Sequence, residues 1–93
     1  MNIVKAQYRF IYFPKTQEYI GLAWEYDHAV LVSTLPFKTY TEASLSLVGT
    51  IDKLNLDNKA KYIKLAYFDG EYACTGNGEQ LVPLSGGLIP ARA

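Results

Sequence analysis

Glu25, Asp27 and His28 place two carboxylates and an imidazole on one short stretch of chain. That set of side chains can bind a divalent metal or move a proton. Glu25 and Asp27 share a strand parity, and His28 adjoins them at a turn. A lone hairpin tip has no wall to exclude water, however, and polar residues sit at tips because they are solvated. Cys74, the single cysteine, would be a nucleophile if His28, the single histidine, lowered its pKa. Its expected place opposite Leu65 makes it a small buried hydrophobe instead. Gly76-Asn77-Gly78 and Ser85-Gly86-Gly87 lack the strand-to-helix setting of a phosphate loop and read as turns. Thr16, Ser33 and Ser44 have no base in a triad arrangement. A small metal-dependent or thiol enzyme is therefore the least supported reading, and the expectation is a non-enzymatic protein with no metal and no cofactor.

Binding residues are more abundant. Eight tyrosines occur in the chain, most of them in segments with strand character, together with Trp24 and Phe10. Tyrosine and tryptophan give large contact areas at low entropic cost and concentrate at protein–protein hot spots. Strand parity assigns Tyr8, Phe10, Trp24 and Tyr67 to the core. It leaves Tyr12, Tyr19, Tyr26 and Tyr62 as candidate partner contacts, with Val30 and Val32 as a mildly apolar face suited to homodimerisation. The alternative is single-stranded nucleic acid, with bases stacked on sheet tyrosines and phosphates held by Arg9, Lys59, Lys61 and Lys64. Nine basic and nine acidic residues cancel, which removes the long-range attraction such proteins usually show.

These residues must be carried by one domain, since 93 residues is a single-domain length. Apolar residues at 49% and charged residues at 19% exclude a disordered chain. One cysteine excludes an internal disulfide, so packing alone must hold the fold. No signal-like N-terminus and no apolar run of bilayer length is present, and the expectation is a cytoplasmic protein with no membrane partner.

Along the chain, Val4, Ala6, Tyr8, Phe10 and Tyr12 alternate with polar residues, the period of a half-buried strand. A loop over residues 13–17 sets Phe10 against Ile20 and Tyr8 against Leu22 in the next strand, with Ile20, Leu22, Trp24 and Tyr26 facing the core. A loop one residue shorter would set Arg9 against Leu22 and turn every side chain over. After a reversal at Asp27-His28, residues 29–35 pair Leu22 with Ser33, Trp24 with Leu31 and Ile20 with Leu35. Thr39-Tyr40-Thr41-Glu42 is a capping box. The stripe Tyr40, Ala43, Ser44, Leu47, Val48, Ile51 and Leu54 gives a helix ending near Asn55, with Gly49 a possible point of close approach to a strand. Asp69-Gly70 predicts a type I′ hairpin pairing Tyr67 with Tyr72 and Leu65 with Cys74. Pro83 confines the strand over residues 80–84 to a sheet edge.

Three strands followed by a capped helix resemble the opening of HicB-like antitoxins. The likeness covers Val4 to Leu54 and rests on Phe13-Pro14, Tyr19-Ile20 and Thr39-Tyr40-Thr41-Glu42. It is an analogy of element order, and no functional residue is carried over. The expected architecture is α+β: a three-stranded antiparallel meander, one amphipathic helix across its Trp24 face, then a hairpin and a short edge strand (β-β-β-α-β-β-β). One domain over residues 1–84 precedes a flexible tail over 85–93. The expected function is a small protein-binding or regulatory module acting on another protein or on a second copy of itself. Its size suits an accessory factor of a phage or mobile element.

Overall fold

The computed structural model describes residues 2–25, 30–75 and 80–83. Tyr26, Asp27 and His28, the Gly76-Asn77-Gly78 turn and the expected tail fall outside these residues. The described chain is α+β, with the elements β1 (Asn2–Phe13), β2 (Glu18–Glu25), β3 (Val30–Ser33), α1 (Tyr40–Asp57), β4 (Lys61–Thr75) and β5 (Gln80–Pro83). One five-stranded sheet runs in the order β3-β2-β1-β4-β5. Its β1–β4 pair is parallel and its other pairs are antiparallel, so the later strands extend the first sheet.

The meander forms with the shorter loop. Phe13 pairs with Glu18 and Arg9 with Leu22, so only residues 14–17 connect the strands, and Gln17 takes a positive φ of 54° to close them. This reverses the expected faces of β2. Tyr19, Gly21 and Ala23 are buried under α1, while Ile20, Leu22 and Trp24 lie on the opposite face. The physical reason is room. The Cβ of Leu47 lies only 3.2 Å from where a Cβ on Gly21 would stand, so α1 rests on the small residues of β2. Gly49, by contrast, has nothing near it and permits no close approach.

In the β2–β3 pair Leu22 meets Ser33 as expected, but a bulge then sets Trp24 against Val30 in place of Leu31. The buried Thr34 continues the strand's work with its side chain, its hydroxyl accepting from the Gly21 N–H at 2.9 Å. Helix α1 starts where the capping box put it: the Thr39 hydroxyl accepts from the Glu42 N–H at 3.1 Å. It buries Ala43, Leu47 and Ile51 and leaves Val48 largely exposed. It passes through Asn55 and ends at Asp57. Asn55 serves instead to pin β4, its side-chain amide donating to the Ile63 carbonyl at 2.8 Å and accepting from the Ile63 N–H at 2.6 Å.

The Asp69-Gly70 hairpin does not form. A type I′ turn needs positive φ at both central residues, and here only Gly70 has it, at 127°. Strand β4 runs straight on beside β1 as far as the Tyr12–Ala73 pair, with irregularities near Ala66 and Asp69 that each insert an extra residue. Strand β5, ending at Pro83, is an edge strand as expected. The core lies between the sheet and α1, where Phe10 packs 4.7 Å from Tyr40 and Tyr12 packs 4.8 Å from Tyr19. No described helix is long and apolar enough to cross a membrane.

Candidate functional site

Among the described residues, α1 covers one face of the sheet. The other is built by Gln7, Arg9 and Ile11 of β1, Ile20, Leu22 and Trp24 of β2, Val30 of β3, Tyr67 and Tyr72 of β4, and Leu81 of β5, as the registers dictate. Antiparallel sheets commonly turn a polar face to water. This one carries large apolar and aromatic side chains: Val30 at 54%, Tyr67 at 53% and Leu81 are exposed, Ile20, Leu22, Trp24 and Tyr72 are half-buried, and Ile11 is buried among them.

Arg9 organises the centre of this face. Its guanidinium lies 4.7 Å from the Trp24 ring centre and 4.6 Å from that of Tyr72, and its Nη2 is 2.8 Å from Asp69 Oδ2. The Tyr72 hydroxyl donates to the same carboxylate oxygen at 3.0 Å. That hydrogen bond is the chief reason the Tyr72 phenol is held above its ordinary pKa, with burial and the Asp69 charge adding to it and Arg9 opposing it. The Asp69 contacts depend on the absent hairpin, because they need β4 to continue beside β1 through the irregularity at Asp69. The result is a braced aromatic platform whose central cation is already neutralised.

The candidate contacts read from the sequence divide. Tyr12 and Tyr19, at 8% and 0% exposure, are core residues and not a partner surface, because the shorter loop turned β2 over. Val32 is buried beneath α1 while Val30 is on the helix-free face, so the two do not form one dimer surface. Tyr62 is exposed, near the β4 edge. Tyr26 lies outside the described residues. Among the basic candidates, Arg9 is held by Asp69 and Lys61 donates to Glu25 at 3.2 Å, while Lys59 and Lys64 are exposed.

The Lys61 contact also accounts for Glu25, whose presumed companions Asp27 and His28 lie outside the described residues. Among the described residues no cluster of three acidic, histidine or cysteine groups could hold a metal ion. Cys74 is half-buried opposite Leu81, not Leu65. Trp24 and Tyr67, assigned to the core from parity, belong to the open face. The available signal was the smallness of Gly21 and Ala23, which marks the side where a helix fits. No family model, curated protein or solved structure matches this chain.

Proposed function

We propose that this chain is a small non-enzymatic binding module, acting in the cytoplasm, and that its helix-free sheet face is the contact surface for another protein. The observation that supports this most is the composition of that face. Ile20, Leu22 and Trp24 of β2 and Tyr67 and Tyr72 of β4 share one sheet face, joined across β1 by Gln7, Arg9 and Ile11, and no described element covers it. Contiguous apolar surface of this kind marks interaction sites, and rigid aromatics at its centre suit a hot spot. The Arg9 brace fixes Trp24 and Tyr72 before binding, which lowers the ordering cost on association.

A partner with a complementary apolar patch fits better than a polyanion. Arg9 and Lys61 already face carboxylates, leaving Lys5 and Lys64, neighbours across the β1–β4 pair, as cations free of described ion pairs on this face. The test is differential capture from the native host. Val30→Glu and Leu81→Glu, at opposite ends of the face, should each abolish capture of a partner that the parent chain and the helix-surface variant Leu56→Ser both retain. Equal capture by all four proteins would refute the assignment. Salt-sensitive binding of a single-stranded oligonucleotide, lost with Lys64→Glu, would transfer it to nucleic acid.

A further inference from the structure

The second unusual surface is an edge. Strand β4 is bordered by β1 along most of its length on one side, but on its other side β5 covers only Tyr72 to Thr75. Toward its start, the Asn55 side chain occupies both the N–H and the C=O of Ile63. Those two groups must therefore point away from β1, and strand alternation directs the groups of Leu65 the same way. The irregularity at Ala66 takes up the odd residue, so Phe68, on the same sheet face as Leu65, shares that direction. Among the described residues nothing pairs with this stretch.

On the helix side the side chains of the open stretch, Ile63, Leu65 and Phe68, are apolar. Phe68 leans on its own Tyr8 at 5.2 Å yet is 50% exposed. Beside it a groove of about 180 Å³ runs between α1 and β4, its apolar wall made by Val48, Ile51, Ile63 and Leu65 and its rim by Asp52, Tyr62 and Lys64. A knob and a groove occur on the same edge.

We propose that two copies of this chain pair antiparallel along β4, about a two-fold axis between Ala66 and Tyr67, to make one continuous sheet. This register sets Leu65 opposite Phe68 of the second copy, both on the helix side, so that each copy's Phe68 meets the other's groove wall. The same two residues carry the outward N–H and C=O groups and exchange both hydrogen bonds, twice by symmetry. On the other face Lys64 lies opposite Asp69 of the second copy. Within its own chain Asp69 uses Oδ2 for both Arg9 and Tyr72, so its other carboxylate oxygen can still accept from a lysine. Zero net charge means that the copies do not repel on average. Self-complementarity of shape, hydrogen bonding and charge is what selects a second copy over an unrelated strand.

This pairing runs along the β4 edge and does not involve Val30 at the far end of the helix-free face. Sedimentation equilibrium of the full chain from about 10 μM to about 1 mM should show the mass rising toward twice that of one chain, the range expected for a small interface. Amide exchange at Leu65 and Phe68 should slow over the same range. Lys64→Glu, an exposed substitution, puts like charges opposite each other twice and should weaken the dimer by about tenfold or more with an unchanged monomer spectrum. Val30→Glu should leave it intact. A single-chain mass throughout would overturn the proposal, as would a dimer that ignores Lys64→Glu or leaves Leu65 and Phe68 exchanging freely.

Discussion

Two glycine-to-alanine substitutions should act in opposite directions, and the contrast tests how α1 meets the sheet. A Cβ on Gly21 would stand 3.1 Å from Phe10 Cε1, 3.2 Å from Leu47 Cβ and 3.3 Å from Leu47 Cδ2. Neither neighbour yields easily. Leu47 Cβ moves only with the helix backbone, and the Phe10 ring is packed against Tyr40. Overpacking of this kind costs about 1–3 kcal/mol. Loss of glycine's backbone freedom in the unfolded chain returns about 0.4–1 kcal/mol. The expected net for Gly21→Ala is a destabilisation of about 1–1.5 kcal/mol. At Gly49 the added methyl meets nothing within 4 Å beyond its chain neighbours and its own helix backbone, so only the propensity gain remains, about 0.8–1 kcal/mol in favour of alanine. Urea unfolding followed by circular dichroism reads both. With a slope of about 1 kcal/mol per M, the midpoint should fall by about 1 M for Gly21→Ala and rise by somewhat less for Gly49→Ala, at constant slope. A stabilised Gly21→Ala protein would show that α1 does not rest on Gly21, and the assignment of the two sheet faces would go with it.

Other substitutions probe the remaining joints. Asn55→Ala leaves both polar groups of Ile63 without their partner in a half-buried place and should cost about 2 kcal/mol in the same urea assay, with faster amide exchange at Ile63. Arg9→Met keeps the stem but removes two ring contacts and a partly exposed ion pair, for a loss of about 1–2 kcal/mol and a changed Trp24 fluorescence. Arg9→Lys should not restore the parent value, because an ammonium cannot fill the planar slot. Tyr72 holds its proton more tightly when folded than when unfolded, so its contribution is complete below the ordinary tyrosine pKa of 10.0 and is lost as pH rises from there through the raised folded value. Urea midpoints across that alkaline range should decline less steeply for Tyr72→Phe than for the parent, and identical slopes would contradict the Asp69 hydrogen bond.

Local signals in the sequence proved reliable where one residue decides a local geometry. Thr39 and Glu42 mark the helix start because capping needs only those two residues. Pro83 marks an edge because it lacks a donor. Asp69-Gly70 misled because the same dipeptide serves a bulge, and only the presence of β1 as a parallel neighbour decides between bulge and turn. The open face was concealed by a one-residue difference in the loop over 14–17. Ranking the faces of β2 by hydrophobic size favours Ile20, Leu22 and Trp24 as core, whereas the close approach of Leu47 favours Gly21 and Ala23. The Arg9 platform was not legible for a related reason. It joins residues from β1, β2 and two points of β4 that become neighbours only after the parallel pairing is known.

The most direct measurement places a photoreactive side chain at Val30, on the helix-free face and far in the strand order from the β4 edge, and another at Leu56 on the outer side of α1. Irradiation in the native host should yield a discrete adduct with a second, different protein from position 30 and none from position 56. An adduct from position 56 alone, or adducts only with nucleic acid, would contradict the account.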